Sequence, residues 1–348
     1  MLILTHHNLA EGGGQVAKAK RVQGAFEGPW DTELLGFEDF SDTDRSTWLI
    51  RGPEWLMTLT RKVARGTFDI AYCVNSRHIV VFLYFLRVVM MKHYKIVYDT
   101  EMTWRLSVGP NTKRTIREVQ ERLAAACANL VAANSTSAMA FFRWTRVTFV
   151  PNFVDCKTFK HNYAKGQELR SEYGFKDSDR VIGVVGPFNN PYNLPVLEFI
   201  RNHQFDEGIK FLVIGSCGSE YIVRRANIVY TGYVSDYVAH LSCLDGMLVF
   251  RTVPTDGAIN RIVEGMSMAL PVFVNMTAFS TMDYIASGQE ILAFDNNALP
   301  GKLNNLIFDK EMMGDIGRRA RLAVERYYSQ EVIEERFRES LGGLLDSE

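Results

Sequence analysis

The run TDGAINRIVEGMSMALPV, beginning at Thr255, sets two acids, a glycine, an amide and a guanidinium at spacings that suit an anionic ligand. Gly257 lets the backbone come close to a ligand. The apolar helical run that follows would present unpaired N–H groups and a positive dipole end to whatever lies in front of it. Asn260 and Arg261 stand where that helix should start, and a guanidinium suits bidentate contact with phosphate. Glu264 lies about one turn deeper. A carboxylate only accepts hydrogen bonds, and on a nucleotide the neutral donors that match it best are the paired ribose hydroxyls. Asp256, ahead of the helix, would face the far side of the phosphates, where a sugar would sit. Spacing alone leaves a second account open: both acids could simply favour a helix amino terminus, worth about 0.3–1 kcal/mol each.

Placing such residues takes a strand that ends just before the glycine and a helix that starts just after it, and the chain alternates strands and helices throughout. LILTHH (2–7) reads as a strand leading through the glycine loop EGGGQ (11–15) into the helix VAKAKRVQGAF. FDIAYCVN (68–75), KIVYDTE (95–101), NLVAANS (129–135) and VTFVP (147–151) read as further strands, with helices at 79–91 and 112–128. A polar stretch after Pro151 interrupts the pattern and marks a domain boundary. The series then resumes with VIGVVG (181–186), the helix LPVLEFIRN, KFLVIGS (210–216), IVYTG (228–232), GMLVF (246–250), the helix holding Glu264, and PVFVN (271–275). The terminal segment from Met312 is helical and charged on one side. Such alternation predicts βαβ units, mostly parallel sheets and ligands outside the carboxyl ends of the strands.

Bulk properties agree with two globular domains. A chain of 348 residues exceeds what a single core of roughly 250–300 residues holds, and 47% apolar with 23% charged residues is a globular composition. The formal net charge of −1 hides an asymmetry: residues 1–150 hold 19 Lys and Arg against 14 Asp and Glu, and residues 151–348 hold 20 against 26. The excess is too small, and too free of interleaved aromatics, for nucleic-acid binding. The cysteines Cys73, Cys127, Cys156, Cys217 and Cys243 are widely spaced without a Cys-x-x-Cys pair, which argues against a disulfide framework or a zinc site and fits a reducing cytoplasm. No signal peptide is visible at the amino terminus. The apolar run 79–91 is too short to span a bilayer and contains Arg87, so a buried core helix is expected there, with shallow peripheral contact through the basic first half left open.

The segment around Glu264 resembles the donor-site signature of family 4 glycosyltransferases, retaining enzymes of the GT-B fold. There, two glutamates separated by seven residues flank a glycine-containing loop and open a helix that continues Glu-Ala-Met-Ala-x-Gly-x-Pro-Val. Here the run is Glu264-Gly265-Met266-Ser267-Met268-Ala269-Leu270-Pro271-Val272. Pro151-Asn152-Phe153-Val154-Asp155, ending in Phe159, resembles the family's domain-junction segment, and EGGGQ its first glycine loop. The similarity is strong after residue 150 and looser before it.

The resemblance implies an α/β protein of GT-B type, two Rossmann-like doubly wound domains facing a central cleft. Residues 1–150 would form the acceptor domain, 151–325 the nucleotide-sugar domain, and 326–348 a helix packing back toward the first domain. It implies a sugar transfer from a nucleotide-diphosphate sugar, such as a UDP- or GDP-sugar, to a glycan or lipid-linked acceptor with retained configuration. Neither a metal nor a separate cofactor is expected. Carried over by position, Glu264 would bind the ribose, and Asp256 with the Gly257 loop the sugar. Gly12, Gly13 and Gly14 would lie near the phosphates, with Gly186 in the first loop of the second domain. His6, His7, Asp99 and Glu101 lie near strand ends and could reach the anomeric carbon, with Glu101 preferred, and Glu118 is a weaker candidate for orienting a loop.

Three departures bear on activity. Asp256 replaces a glutamate, and Ala258 and Ile259 replace an aromatic residue and a second glycine. The Arg and Lys that usually follow the first strand of the second domain are absent from Gly186-Pro187-Phe188-Asn189-Asn190-Pro191-Tyr192-Asn193. Arg261, with Asn260 and the helix amino terminus, is expected to take over that cationic role. The alternatives are a catalytically inactive binding protein of the same fold and a sugar-nucleotide epimerase. A dinucleotide oxidoreductase is disfavoured because EGGGQ lacks the Gly-x-Gly-x-x-Gly spacing.

Overall fold

A computed structural model describes residues 1–5, 14–26, 31–35, 45–66, 68–100, 111–188, 192–223 and 225–345. The chain divides into two compact units, Met1–Pro151 with Glu334–Glu348, and Asn152–Ile333.

The first unit runs β1 (Leu2–Thr5), α1 (Gly14–Phe26), β2 (Glu33–Leu35), α2 (Arg45–Arg65), β3 (Ile70–Val74), α3 (Arg77–Val89), β4 (Lys95–Thr100), α4 (Asn111–Cys127), β5 (Leu130–Ala133), α5 (Thr136–Phe141) and β6 (Val147–Phe149). Its strands form a parallel sheet in the order β2-β1-β3-β4-β5-β6. One face packs Leu2, Leu4, Ala71, Cys73, Ile96 and Tyr98 against Leu59 and Val63 of α2 and Ile79, Val80, Leu83 and Leu86 of α3.

The second unit runs α6 (Tyr163–Glu172), β7 (Arg180–Val185), α7 (Leu194–Asn202), β8 (Ile209–Ile214), β9 (Ile228–Gly232), α8 (Tyr237–Leu241), β10 (Gly246–Val249), α9 (Asn260–Ser267), β11 (Val272–Asn275), α10 (Met276–Phe279), β12 (Leu292–Phe294), α11 (Leu299–Leu306) and α12 (Lys310–Tyr327), and α13 (Gln330–Leu345) follows. Its parallel sheet has the order β12-β11-β10-β7-β8-β9. Successive side chains of a strand point to opposite faces, and both faces are buried here. Val181 and Val185 of β7 therefore enter one core while Ile182 and Val184 enter the other. Gly183 between them is buried against Leu244, whose Cδ1 would lie 2.3 Å from an added Cβ.

From Glu334 the chain belongs to the first unit, while residues 326–333 stay with the second. Phe337 packs edge-on to Tyr72 at 5.3 Å, and Arg146 donates to the carbonyls of Ser340 and Gly343. All five cysteines are free.

Four features differ from the sequence expectation. β2, α2, α8, α10, β12 and α11 had no counterpart, β2 and β12 being three-residue edge strands too short to show a period. The polar stretch after Pro151 contains α6, whose buried positions Gly166, Leu169 and Arg170 include only one large apolar side chain. The terminal helix is broken between α12 and α13, where Tyr328 is buried and donates its hydroxyl to the Asp283 carbonyl. The segment expected as a buried helix, α3, is buried on one face only; Tyr84, Phe85, Val88 and Val89 face solvent.

Candidate functional site

Counting outward, the second sheet has the doubly wound order 3-2-1-4-5-6, with the reversal between β7 and β10. The loops leaving the carboxyl ends of those two strands part to opposite faces there and open a crevice, the usual ligand position of open α/β sheets. Three strands end in glycine on one side of this point. Gly186, Gly215 and Gly232 have φ of 154°, 127° and 70°. A Cβ on Gly215 would stand 2.2 Å from the Gly186 carbonyl oxygen, so the backbones pack directly and leave the edge open.

Two arginines occupy the crevice. Arg251 follows β10 and is buried; its Nη1 donates to the Tyr192 carbonyl at 2.6 Å. Its backbone is fixed by Asn275 at the end of β11, whose Oδ1 accepts from the Arg251 N–H and whose Nδ2 donates to the Arg251 carbonyl. Arg261, in the first turn of α9, reaches across to β7. Its Nη1 donates to the Val185 carbonyl at 2.6 Å and its Nη2 to Asn193 Oδ1 at 2.7 Å. Asn193 in turn donates to the Pro187 carbonyl. Both guanidinium groups thus grip the loop after β7, the one that lacks its own Arg and Lys.

Among the described residues neither arginine has a carboxylate at ion-pair distance. Burial, and then the charge of Arg261, push the Arg251 pKa down to about 10. Burial also lowers that of Arg261, against the opposing pull of Tyr237 and Glu264. Two neighbouring cations, one buried and the other offset at longer range by Glu264, suit a multivalent anion.

The rest of the site is built on α9. Its N-cap, Ile259, supplies no side-chain acceptor to the first-turn amides. Gly257 is buried with φ of 77°, a conformation that glycine adopts without penalty. The loop is pinned by Asn152 of the junction segment, whose Nδ2 donates to the Ala258 carbonyl at 2.7 Å. Glu264 is buried, and its Oε2 accepts from the Tyr237 hydroxyl at 3.0 Å. Asp256 is half-buried in the turn ahead of the helix.

The structure therefore brings Gly186, Asp256, Gly257, Asn260, Arg261 and Glu264 to one edge of the second unit. Gly14 is the first residue of α1 in the other unit, while Gly12, Gly13, His6, His7 and Glu101 lie outside the described residues. Asp99 is not a free acid: its buried carboxylate accepts from Lys18 at 2.6 Å and from the Tyr72 hydroxyl at 2.5 Å. Glu118 pairs with Arg122 on the surface of α4. Sequence reasoning missed Arg251, Asn193, Tyr237 and the role of Asn152. The signal for Arg251 was present, a cation directly after the apolar run GMLVF.

A cavity of about 720 Å³ opens elsewhere, among Arg180, Asp245 and Pro271, beside the amino ends of β7, β10 and β11. None of the predicted site residues lines it, and its Arg170 is spent on Asp245 and two carbonyls. No group of His, Cys, Asp and Glu that could hold a metal ion occurs among the described residues.

No protein-family model matches the sequence, and no curated protein is similar to it. Solved structures are similar over the whole chain. HepE of Anabaena, in complex with UDP and glucose, superposes with a TM-score of 0.73 at 15% identity, covering 98% of this chain and 99% of its own. Sucrose-phosphate synthase of Thermosynechococcus elongatus gives 0.77 at 12% identity, covering 100% of both chains. WaaG, a glycosyltransferase involved in lipopolysaccharide biosynthesis, gives 0.63 at 14% identity over 98% of this chain and 100% of its own. The chain has the GT-B fold of these glycosyltransferases.

Proposed function

We propose that the protein is a retaining glycosyltransferase whose donor, a nucleotide-diphosphate sugar, binds at the carboxyl edge of the second unit. The observation that carries this reading is the pair Arg251 and Arg261, set at the strand-order reversal with no carboxylate at ion-pair distance among the described residues, beside a start of α9 whose N-cap side chain makes no capping bond. The diphosphate would lie against the two guanidinium groups and the α9 amides. The ribose would donate its hydroxyls to Glu264, and the sugar would face Asp256 and Gly257. HepE binding UDP, on the same fold, supports this choice of ligand.

Catalysis in this account is electrostatic. The bond between the anomeric carbon and the diphosphate oxygen breaks, and its electron pair stays on the diphosphate. Two fixed cations and a helix dipole stabilise that growing charge without reorganising, the kind of contribution that can supply most of a rate enhancement. An acceptor hydroxyl, on a glycan or a lipid-linked saccharide, bonds to the anomeric carbon on the face the diphosphate leaves, and its proton passes to the departing oxygen.

A thermal-shift screen of nucleoside diphosphates and their sugars tests the reading. A ligand at a hundred times its dissociation constant should stabilise by about 2.7 kcal/mol. NMR of the product from the donor so identified should show the anomeric configuration unchanged. No shift with any nucleoside diphosphate would reject the donor site, and an inverted product would reject retention.

A further inference from the structure

The helix α3 is apolar on two opposite faces but covered on only one. Ile79, Val80, Leu83 and Leu86 enter the core of the first unit. On the opposite face Phe85, Val88 and Val89, with Met91 just beyond the helix, are each more than half exposed, and Tyr84 is 39% exposed. A helix apolar on both faces is ordinarily buried on both.

The neighbouring helix repeats the pattern. Arg77 at the start of α3 binds Gln120 and Glu121, and Arg87 near its end donates to Asn129 just past α4, so the two helices run side by side. On α4, Ile116, Val119 and Leu123 form a stripe at helical spacing, each more than half exposed.

The charge around these stripes is mostly positive. Residues 77–95 contain Arg77, Arg87, Lys92 and Lys95 and no acid. On α4, Arg114, Arg117 and Arg122 are exposed. Its two acids are already engaged, Glu118 with Arg122, and Glu121, buried, with Arg77 and the Tyr98 hydroxyl. The Arg87 guanidinium lies 5.1 Å over the Tyr84 ring.

We propose that the outer face of α3 and α4 is a docking surface for an anionic lipid bilayer. Aromatic and branched side chains would enter the boundary between headgroups and acyl chains, and the surrounding arginines and lysines would meet lipid phosphates. A second copy of the chain is disfavoured because it would set two basic faces against each other, and the centres of protein interfaces are depleted of charge. The contact is peripheral, for among the described residues no helix is long and apolar enough to cross a membrane. It concerns the first unit alone and stands whether or not the second transfers a sugar.

The test is co-sedimentation of the full chain with vesicles of phosphatidylglycerol mixed with phosphatidylcholine, and with phosphatidylcholine alone, at low and high salt. The wild type should pellet with the anionic vesicles, less so as salt rises, and should stay in solution with the neutral ones. Phe85→Glu with Val88→Glu should weaken partitioning by more than about tenfold. Leu322→Glu, at an exposed apolar position on α12 of the second unit, should not. Because the substituted side chains are exposed, unchanged thermal melting serves as the folding control. Failure of the wild type to bind anionic vesicles would overturn the proposal, as would equal binding to neutral ones. So would a concentration-dependent dimer, seen by light scattering, that the paired substitution dissociates while leaving vesicle binding intact.

Discussion

Arg251 is the residue with the most at stake. In the fold the Arg251 guanidinium is lowered from its usual range to about 10, burial being the larger cause and Arg261 the next. The unfolded chain therefore holds the proton more firmly. At neutral pH the folded state bears a cost of about 3 kcal/mol, present below pH 10 and fading as the pH rises from there toward the usual range. Such a cost fits a site whose counter-charge arrives with the ligand. Arg251→Met should accordingly raise the melting temperature of the ligand-free protein by a few degrees, even after losing the hydrogen bond to Tyr192. It should also abolish stabilisation by nucleoside diphosphates. Differential scanning fluorimetry reads both. Glu264 contributes differently, as a buried acceptor beside Tyr237. Glu264→Gln should weaken nucleoside diphosphate binding by roughly ten- to a hundredfold in a calorimetric titration, while inorganic pyrophosphate, which lacks a ribose, binds unchanged. The sequence made Glu264 and Arg261 legible through helical spacing and resemblance. Arg251 was visible as a cation after an apolar run, but its part, like that of Asn193, depends on β7 and β10 lying side by side, and sequence order does not show that adjacency.

Among elements, the turn after β7 controls where Arg261 sits. A Cβ on Gly186 would lie 2.8 Å from Arg261 Nη1, in a backbone conformation that side chains rarely adopt. Gly186→Ala should displace the guanidinium, lower stability by about 1–3 kcal/mol and weaken donor binding, with the two effects separated by chemical denaturation and calorimetry. In the first unit, Lys18 of α1 is buried against Asp99 at the end of β4, with Tyr72 as the third member. Asp99→Ala would leave that ammonium buried without its counter-charge and should cost about 3–5 kcal/mol in denaturant melts. The long parallel strands were legible because both their faces are buried, which turns them into continuous apolar runs such as VIGVV and KFLVI. The edges β2 and β12 and the mostly polar helix α6 carry no such run. The apolar segment 79–91 was recognised as a helix, but sequence alone could not tell that its second face would stay uncovered.

At the scale of the molecule, the two units repeat one design, a parallel doubly wound sheet, and differ in what they hold. The second is acidic overall, so the two arginines at its strand-order reversal stand out against their own domain. The first is basic and turns two apolar stripes to solvent. The parallel α/β class of both units was readable from alternation, since parallel strands joined by helices allow few other topologies, and the GT-B type from the resemblance. The most direct measurement is calorimetric titration of UDP and GDP into the wild type and into a variant carrying both Arg251→Met and Arg261→Met. Binding of at least one diphosphate to the wild type, lost in the double variant while the fold persists by circular dichroism, is the predicted result. A double variant that binds as tightly as the wild type would contradict the account.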